Sequence, residues 1–411
     1  PALTLFFLTL FQLFTAFQFV THLQAEAMSS AVLGFAALIA VEWLLFFALK
    51  LARRSGYEVE TLAFFLSTIG FAVIASDDAT KIGKQLICLV GGVFIYLIIG
   101  WSLRDLTRAK RFRYVAAVGG LLLLAANLVF GTEIYGAKNW IMIGPFSFQP
   151  SELVKLCFIY VGASTMDRIV TKRNLILFIV YSAAICGCLA LMNDFGTALI
   201  FFVAFLVIAF LRSGSFATIA LACTATGFAG VLAVRFRPHI LRRFATWGHA
   251  WDYALSTGYQ QTRAMMCIAS GGLLGLGAGN GWLKYVAASD TDLVFGFVCE
   301  EWGLILGIVM VAAILILGVF VVRSAKVGRS SFYTIGACAA VSILMIQTIL
   351  NVFGTMDLLP LTGVTFPFVS NGGSSMLSSW GLIAFIKAAD TRQNASFAVR
   401  MVKAEEVQPY E

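Results

Sequence analysis

Apolar runs of about 20 residues recur from one end of this chain to the other, and each is long enough to cross the hydrocarbon core of a bilayer as a helix. They can be drawn at 3–22, 30–50, 60–76, 85–103, 114–130, 153–167, 174–192, 196–211, 215–234, 293–322, 332–353 and 373–390, twelve in all. Lipid offers no hydrogen-bond partners, so every backbone N–H and C=O in these runs must be satisfied within the protein, which leaves helices and closed barrels. Barrel strands would be shorter and would alternate in polarity, so the expected fold class is all-α, a polytopic integral membrane helical bundle. With 60% hydrophobic and only 12% charged residues and a mean hydropathy of +0.90, a water-exposed globule is excluded. One continuous membrane domain accounts for the 411 residues more simply than several soluble ones.

The formal charge of +8 is not laid along a polar face, so it does not point to nucleic acid. Instead it falls in short clusters: Lys50, Arg53 and Arg54; Arg104, Arg108, Lys110, Arg111 and Arg113; Arg168, Lys172 and Arg173; Arg323, Lys326 and Arg329. These occupy alternate connections, which the positive-inside rule assigns to the cytoplasm. Both termini are then cytoplasmic, and the 131–152 loop, the 354–372 loop and the one long connection, 235–292, face outward. Arg235, Arg237, Arg242 and Arg243 lie in that long loop, which is exempt from the charge rule. Function is expected on the face that carries the elaborated loops. The first apolar run lacks a basic leader and a small-residue cleavage site, so it reads as a retained helix.

Charge inside a membrane is costly, so each such residue is a functional candidate, with an ordinary structural reading beside it. Glu152 and Lys155 share a helical face at an outer boundary and can pair with each other or meet a substrate diphosphate. Pro150-Ser151 supply a helix start, with Ser151 a candidate N-cap. Asn193-Asp194 in a short outward turn read as turn and cap chemistry, or as a polar contact to the same site. Glu300 and Glu301 are adjacent and cannot both face one partner on a helix; one is expected to pair with a buried cation such as Lys155 or Arg243. Asp290 or Thr291 can cap the helix that follows, which leaves Asp292 partly desolvated at its first turn and able to act as a base. Residues 258–285 combine an amphipathic start with a Gly-rich run that lacks dinucleotide spacing, and they read as an interfacial or re-entrant segment on the outer leaflet. Eight scattered cysteines and three dispersed histidines suggest neither a disulfide framework nor a metal site.

Seven motifs stand in order along the chain: Gly136-Ala-Lys-Asn-Trp140, Gln149-Pro-Ser-Glu-Leu-Val-Lys155, Asp194-Phe-Gly-Thr197, Gly258-Tyr-Gln260, Thr291-Asp-Leu-Val-Phe295, Glu300-Glu-Trp-Gly303 and Pro367-Phe-Val-Ser-Asn-Gly-Gly-Ser-Ser375. As a set they resemble the SEDS family of FtsW, RodA and SpoVE, over about residues 57–392. The resemblance implies a ten-helix core acting as a peptidoglycan glycosyltransferase that joins lipid II units into glycan strands at the outer face of a bacterial cytoplasmic membrane. It also implies a partner, a class B penicillin-binding protein transpeptidase. Asp292 matches the family's essential aspartate, Glu152 and Lys155 its conserved Glu and Lys, and Arg242 and Arg243 basic residues of the large outer loop. Asp194, Glu300, Ser370 and Ser374 are carried over as substrate-contacting positions. Departures are Asn193 for the usual proline, Asn371 for the usual tyrosine, and a Trp-Asn-Pro-Trp-like segment that survives only as Trp247 to Trp251.

On this reading residues 1–55 add two N-terminal transmembrane helices, 56–392 form the core with its outer loop at about 235–292, and 393–411 are a cytoplasmic tail. Glycan polymerisation needs a base for the acceptor hydroxyl and positive charge for a departing undecaprenyl diphosphate. Asp292 suits the first role; Arg242, Arg243 and Lys155 suit the second, and the sequence allows a divalent cation (Mg2+ or Mn2+) without requiring it. The rival function is a flippase for the same lipid-linked precursor, against which stands the clustering of charge at the outer face rather than the midplane.

Overall fold

A computed structural model describes residues 2–398 apart from 23–24, 135, 145, 167–171, 218, 225–226, 228–229, 231–237, 329 and 393. Its helices are α1 (Ala2–His22), α2 (Ala25–Leu51), α3 (Glu58–Asp78), α4 (Ile82–Leu103), α5 (Leu106–Phe130), α6 (Pro150–Met166), α7 (Lys172–Leu191), α8 (Phe195–Ser213), α9 (Pro238–Thr246), α10 (Tyr259–Gly271), α11 (Val294–Lys326), α12 (Ser331–Thr355) and α13 (Gly373–Ala388). Eleven of the twelve expected spans coincide with α1–α8 and α11–α13, while the ninth, 215–234, falls largely outside the described residues. Eight helical stretches among those described are long and apolar enough to cross a membrane, α3 and α4 forming one of them through a tight turn at Ala79–Lys81.

The all-α architecture carries one small addition that hydrophobic runs did not signal. Between α5 and α6 the chain forms an antiparallel sheet, β1 (Thr132–Ile134), β2 (Ala137–Ile143) and β3 (Phe146–Phe148), in the order β1-β2-β3. Ile141 faces Phe148 and Ile143 faces Phe146 across the second pair, and Gly144 turns between them at φ 57°. The sheet joins the 192–194 turn, the long connection and the 356–372 loop at one end of the bundle, the loop-rich end.

Tertiary packing uses glycines where helices meet closely. α4 lies along α13, with Gly92 against Trp380 and Gly91 against Leu377, and Gly381 of α13 receives Leu156 of α6. At the end opposite the loops, buried Glu60 accepts from Lys387 Nζ at 3.1 Å and from the Tyr96 hydroxyl, and Lys387 also bonds the Gly56 carbonyl. The Arg392 side chain forms two bonds to Glu58 at 2.8 and 2.9 Å and two to Asp390 at 3.1 and 2.8 Å. The Ser55 N–H donates to Asn394 O at 2.6 Å, and Phe397 packs edge-on against Tyr96. Residues 394–398 therefore belong to the folded body rather than to a free tail; 399–411 lie outside the described residues.

The two N-terminal helices are tied to the core by polar groups that the hydropathy pattern hides. Gln12 of α1 donates to buried Glu42 of α2 at 2.6 Å and to Thr68 of α3 at 3.1 Å, and the Tyr57 hydroxyl bonds the Glu42 carbonyl at 3.1 Å.

α11 is broken at Gly303, whose φ of 87° and ψ of 164° belong to a region only glycine occupies comfortably. The break frees the carbonyls of Glu300 and Glu301, and the Gly-rich run fills the gap: Leu276 and Gly277 N–H donate to them at 2.9 Å each, while Leu304 N–H donates to Gly272 O at 2.9 Å. This glycine run, expected as an interfacial or re-entrant segment, packs beside α11 over about 14 Å at 1.5 Å per residue. Irregular backbone in such a place survives only when protein supplies its hydrogen bonds, as here. A Cβ at Gly303 would stand 2.2 Å from Leu273 O, and one at Gly275 2.3 Å from Glu301 O. Gly303→Ala is therefore expected to cost at least about 1–3 kcal/mol from the backbone conformation alone, read as a lowered melting temperature in detergent. An unshifted melting curve rules out the break as drawn.

Candidate active site

At the loop-rich end, residues 288–293 form a turn in which Ala288 adopts φ 60° and its carbonyl accepts from the N–H groups of Asp292 at 2.9 Å and Leu293 at 3.2 Å. Leu293 is the N-cap of α11 and no side chain caps the helix, so Asp290 and Thr291 are not caps. Asp292 accordingly sits one residue before the N-cap rather than within the first turn of the helix. Its backbone is gripped by α12: Asn351 donates to the Asp292 carbonyl at 3.0 Å and to Val364 O at 2.9 Å, with Thr355 at 3.5 Å from the same Asp292 carbonyl.

That grip leaves the Asp292 carboxylate half-buried against the 356–372 loop. Gly363, at φ 72°, lies so close that a Cβ there would stand 3.3 Å from Asp292 Oδ2. Burial raises the carboxyl to about 6; Thr291 hydrogen bonding and the Arg243 guanidinium favour the ionised form, and Asp290 opposes it. Arg243 is exposed on α9. The Arg242 side chain, like Arg235 and Arg237, lies outside the described residues. Asp290 is likewise raised, mainly by burial, although Asn371 donates to its Oδ2 at 2.7 Å and the Asn371 N–H bonds its carbonyl at 2.8 Å. Asn371, a departure from the family pattern, thus has a partner of its own.

Residues 364–375, the end of the loop and the start of α13, connect this recess to a second polar cluster. Ser370 donates to Thr291 O at 2.7 Å and accepts from Phe366 N–H at 2.8 Å, fixing the loop to the Asp292 turn. Four residues on, Ser374 accepts from the Gln149 N–H at 3.3 Å at the start of α6. Below it, Lys155 Nζ meets Glu152 Oε1 at 2.7 Å with both side chains buried, and Ser378 of α13 donates to the other Glu152 oxygen. The pair is therefore internal, and Lys155 is not open to a diphosphate in this arrangement. Pro150 begins α6 and Ser151 lies within the helix with its hydroxyl unpartnered, which corrects the expected Ser151 cap.

Asp194 is the N-cap of α8, accepting from Thr197 N–H at 3.0 Å, and its other oxygen accepts from Asn139 at 3.0 Å and Gln149 at 3.3 Å. It braces the sheet and the α6 start. Asn193 adopts φ 61°, a conformation closed to proline.

Glu300 and Glu301 serve the re-entrant loop. Glu300 accepts from the N–H groups of Trp282 and Leu283 at 2.9 Å each, and Glu301 from Ser76 at 2.7 Å and the N–H groups of Gly279 and Gly281. The expected pairing of one of them with Lys155 or Arg243 is not what forms, because the backbone of residues 279–283 folds around both carboxylates. Sequence reading also missed Asn351, Ser378 and Gly363; lone polar residues in apolar spans were the available signal for the first two. Among the described residues no group of three His, Cys, Asp or Glu side chains could hold a metal ion.

Comparison with known proteins identifies the family and the fold. A family model described as "Cell cycle protein", FTSW_RODA_SPOVE, matches residues 60–395. The chain is 29% identical over 326 residues to peptidoglycan glycosyltransferase RodA of Mycobacterium tuberculosis, covering 74% of this chain and 69% of that protein. It is 30% identical over 352 residues to the probable peptidoglycan glycosyltransferase FtsW of Bacillus subtilis (75% and 83% covered) and 34% identical over 345 residues to that of Pseudoalteromonas translucida (76% and 83%). Among solved structures, a chain of a peptidoglycan synthase complex superposes with a TM-score of 0.67 at 23% identity, covering 81% of this chain and 97% of that one. The rod shape determining protein RodA of Thermus thermophilus superposes with a TM-score of 0.59 at 23% identity, covering 80% and 95%. At that identity the two likenesses concern the fold.

Proposed function

The chain belongs to the FtsW/RodA/SpoVE family of cell cycle proteins and is a peptidoglycan glycosyltransferase of a bacterial membrane, and we propose that it polymerises lipid II at the Asp292 recess on the outer membrane face. The observation that carries this reading is the recess itself: a half-buried carboxylate with a raised pKa, held by α12 and Gly363 and facing the arginine helix of the long connection.

In the proposed reaction an acceptor sugar hydroxyl attacks the anomeric carbon of a donor whose bond to undecaprenyl diphosphate breaks. The hydroxyl proton passes to the Asp292 carboxylate, and the electron pair of the broken bond leaves with the diphosphate, whose charge Arg243 meets, with Arg242 beside it in sequence. The leaving group is already good, so base and cation suffice without a strong acid. Glu152, Lys155, Ser370, Ser374 and Asp194 act by holding the floor of the recess, and Glu300 by holding the re-entrant loop. A divalent cation, where one takes part, would rely on the diphosphate for most of its oxygens, and no step here depends on it.

The synthase complex among its structural neighbours supports work alongside a synthase partner, for which a class B penicillin-binding protein transpeptidase is the proposed identity. Charge alternation supports cytoplasmic termini. Two measurements test the reading together. Purified protein supplied with lipid II in detergent, where there is no bilayer to flip across, is expected to form glycan strands. Single cysteines in the 104–113 loop and at 245–256 are expected to react with an impermeant thiol reagent from the cytoplasmic and the outer side respectively. Failure to polymerise favours a flippase, and the reverse labelling pattern removes the outer-face site.

A further inference from the structure

Arg243 and Asp292 lie near opposite ends of the long connection, so something must hold the guanidinium near the carboxylate. The described contacts converge on Asp357, just past the end of α12. Its Oδ1 accepts from the N–H of Gly248 at 3.2 Å and from Gln261 of α10 at 3.1 Å, and its Oδ2 from the N–H of Ala250 at 3.0 Å. Next to it, Leu358 O accepts from the Trp247 indole at 3.0 Å. The bonded turn continues directly into α9: Trp247 N–H donates to Arg243 O at 3.2 Å, and the hydroxyls of Thr246 and Thr257 bond at 2.6 Å across the turn. On its other side Asp357 follows Thr355, which with Asn351 grips the Asp292 carbonyl.

Asp357 adopts φ 58°, left-handed backbone that favours glycine and that Asp tolerates through its short polar side chain. A residue kept there against its backbone preference, and spending both carboxylate oxygens on one neighbouring segment, is placed for that segment. We propose that Asp357 is a positioning residue for glycan transfer, clamping residues 247–261 so that Arg243 stays near Asp292. This rests on the proposed role of Asp292 as base and adds a group that never touches substrate.

The charges facing Asp292 are Arg243 from α9 and Asp290 from its own turn, with Lys81 and Asp77 of the α3–α4 turn acting on Asp290. Of these, only Arg243 is held through Asp357. Releasing the clamp withdraws the one cation among the described residues that favours ionised Asp292, so the acidic limb of the pH–rate profile moves to higher pH.

Asp357→Gly is the informative variant, because glycine accepts φ 58° without strain and removes only the carboxylate. Amide hydrogen exchange at Gly248 and Ala250 is expected to accelerate at least tenfold, and the acidic limb of lipid II polymerisation to move upward by a few tenths of a pH unit or more. Arg243→Gln is expected to move the limb in the same way, with no further shift in the double variant. Asp357→Asn, which keeps one acceptor oxygen, is expected to restore part of both effects. Unchanged exchange overturns the clamp. Faster exchange with an unmoved limb overturns its link to Arg243. A wild-type profile without an acidic limb overturns the assignment of Asp292, and the inference falls with it even where exchange shows the clamp to be real.

Discussion

Asp292→Asn is expected to lower lipid II polymerisation by about a hundredfold to ten-thousandfold, the usual worth of one positioned base, while the protein folds and purifies normally. The amide nearly matches the carboxylate in size, and the bonds that fix this residue are made by its backbone, to Ala288, Asn351 and Thr355, so they survive the change. What disappears is the ability to take a proton. For the same reason the unmodified protein is expected to lose activity as pH falls through about 6, where the buried carboxyl takes up its proton and the base form is lost. Asp290→Asn serves as the control. It alters a neighbouring carboxylate that bonds Asn371, and it is expected to leave the acidic limb in place or move it slightly down, since one negative charge near Asp292 is removed. Polymerisation by Asp292→Asn at close to the normal rate would return Asp292 to a purely structural role and move the search to Asp290 or Asp194.

Lys155→Ala carries the second large effect, and its main expected target is stability. The substitution leaves Glu152 buried with only Ser378 to satisfy it, and breaking a buried pair from one side typically costs about 3–5 kcal/mol. Activity falls too, because α6 begins beside Ser374, in the first turn of α13, and the loop leading into that helix is the one Ser370 fastens to the Asp292 turn. Lys155→Arg keeps the charge and is expected to retain part of both, limited by a bulkier head in a closed space. Removing both partners in Glu152→Gln/Lys155→Met is expected to recover much of the melting temperature lost by Lys155→Ala. A single Lys155→Ala variant that melts like the unmodified protein but cannot polymerise would assign the ammonium to the substrate instead.

The membrane spans were legible because lipid imposes a single demand, backbone self-sufficiency over a fixed length, and hydropathy reports it directly. Polar placement was legible only in part. Asp292 could be singled out as a carboxylate at a span boundary, but the turn that holds it depends on Ala288 in a left-handed conformation, which no local pattern announces. Glu300 and Glu301 were misjudged because the facing argument presumes an unbroken helix, and Gly303, two residues later, breaks it. Lys155 and Glu152, three residues apart, were readable as a pair; Glu60 and Lys387, also a buried pair, are separated by most of the chain and appear in sequence as two unrelated charges. The sheet at 132–148 went unseen because its strands are short and tied to a turn of α7–α8 through the Lys138 N–H, a contact outside any local window.

With α11 interrupted at Gly303, its two parts answer to different surroundings. Residues 304–326 form an uninterrupted, largely apolar helix packed on α12, and spanning helices commonly tilt when the bilayer thickens or thins. Residues 288–302 are anchored sideways, by Asn351 and Thr355 above and by the glycine run through Glu300 and Glu301 below. Lipid-driven tilting of the 304–326 helix is expected to be absorbed at Gly303, so that the turn carrying Asp292 keeps its place in membranes of different thickness.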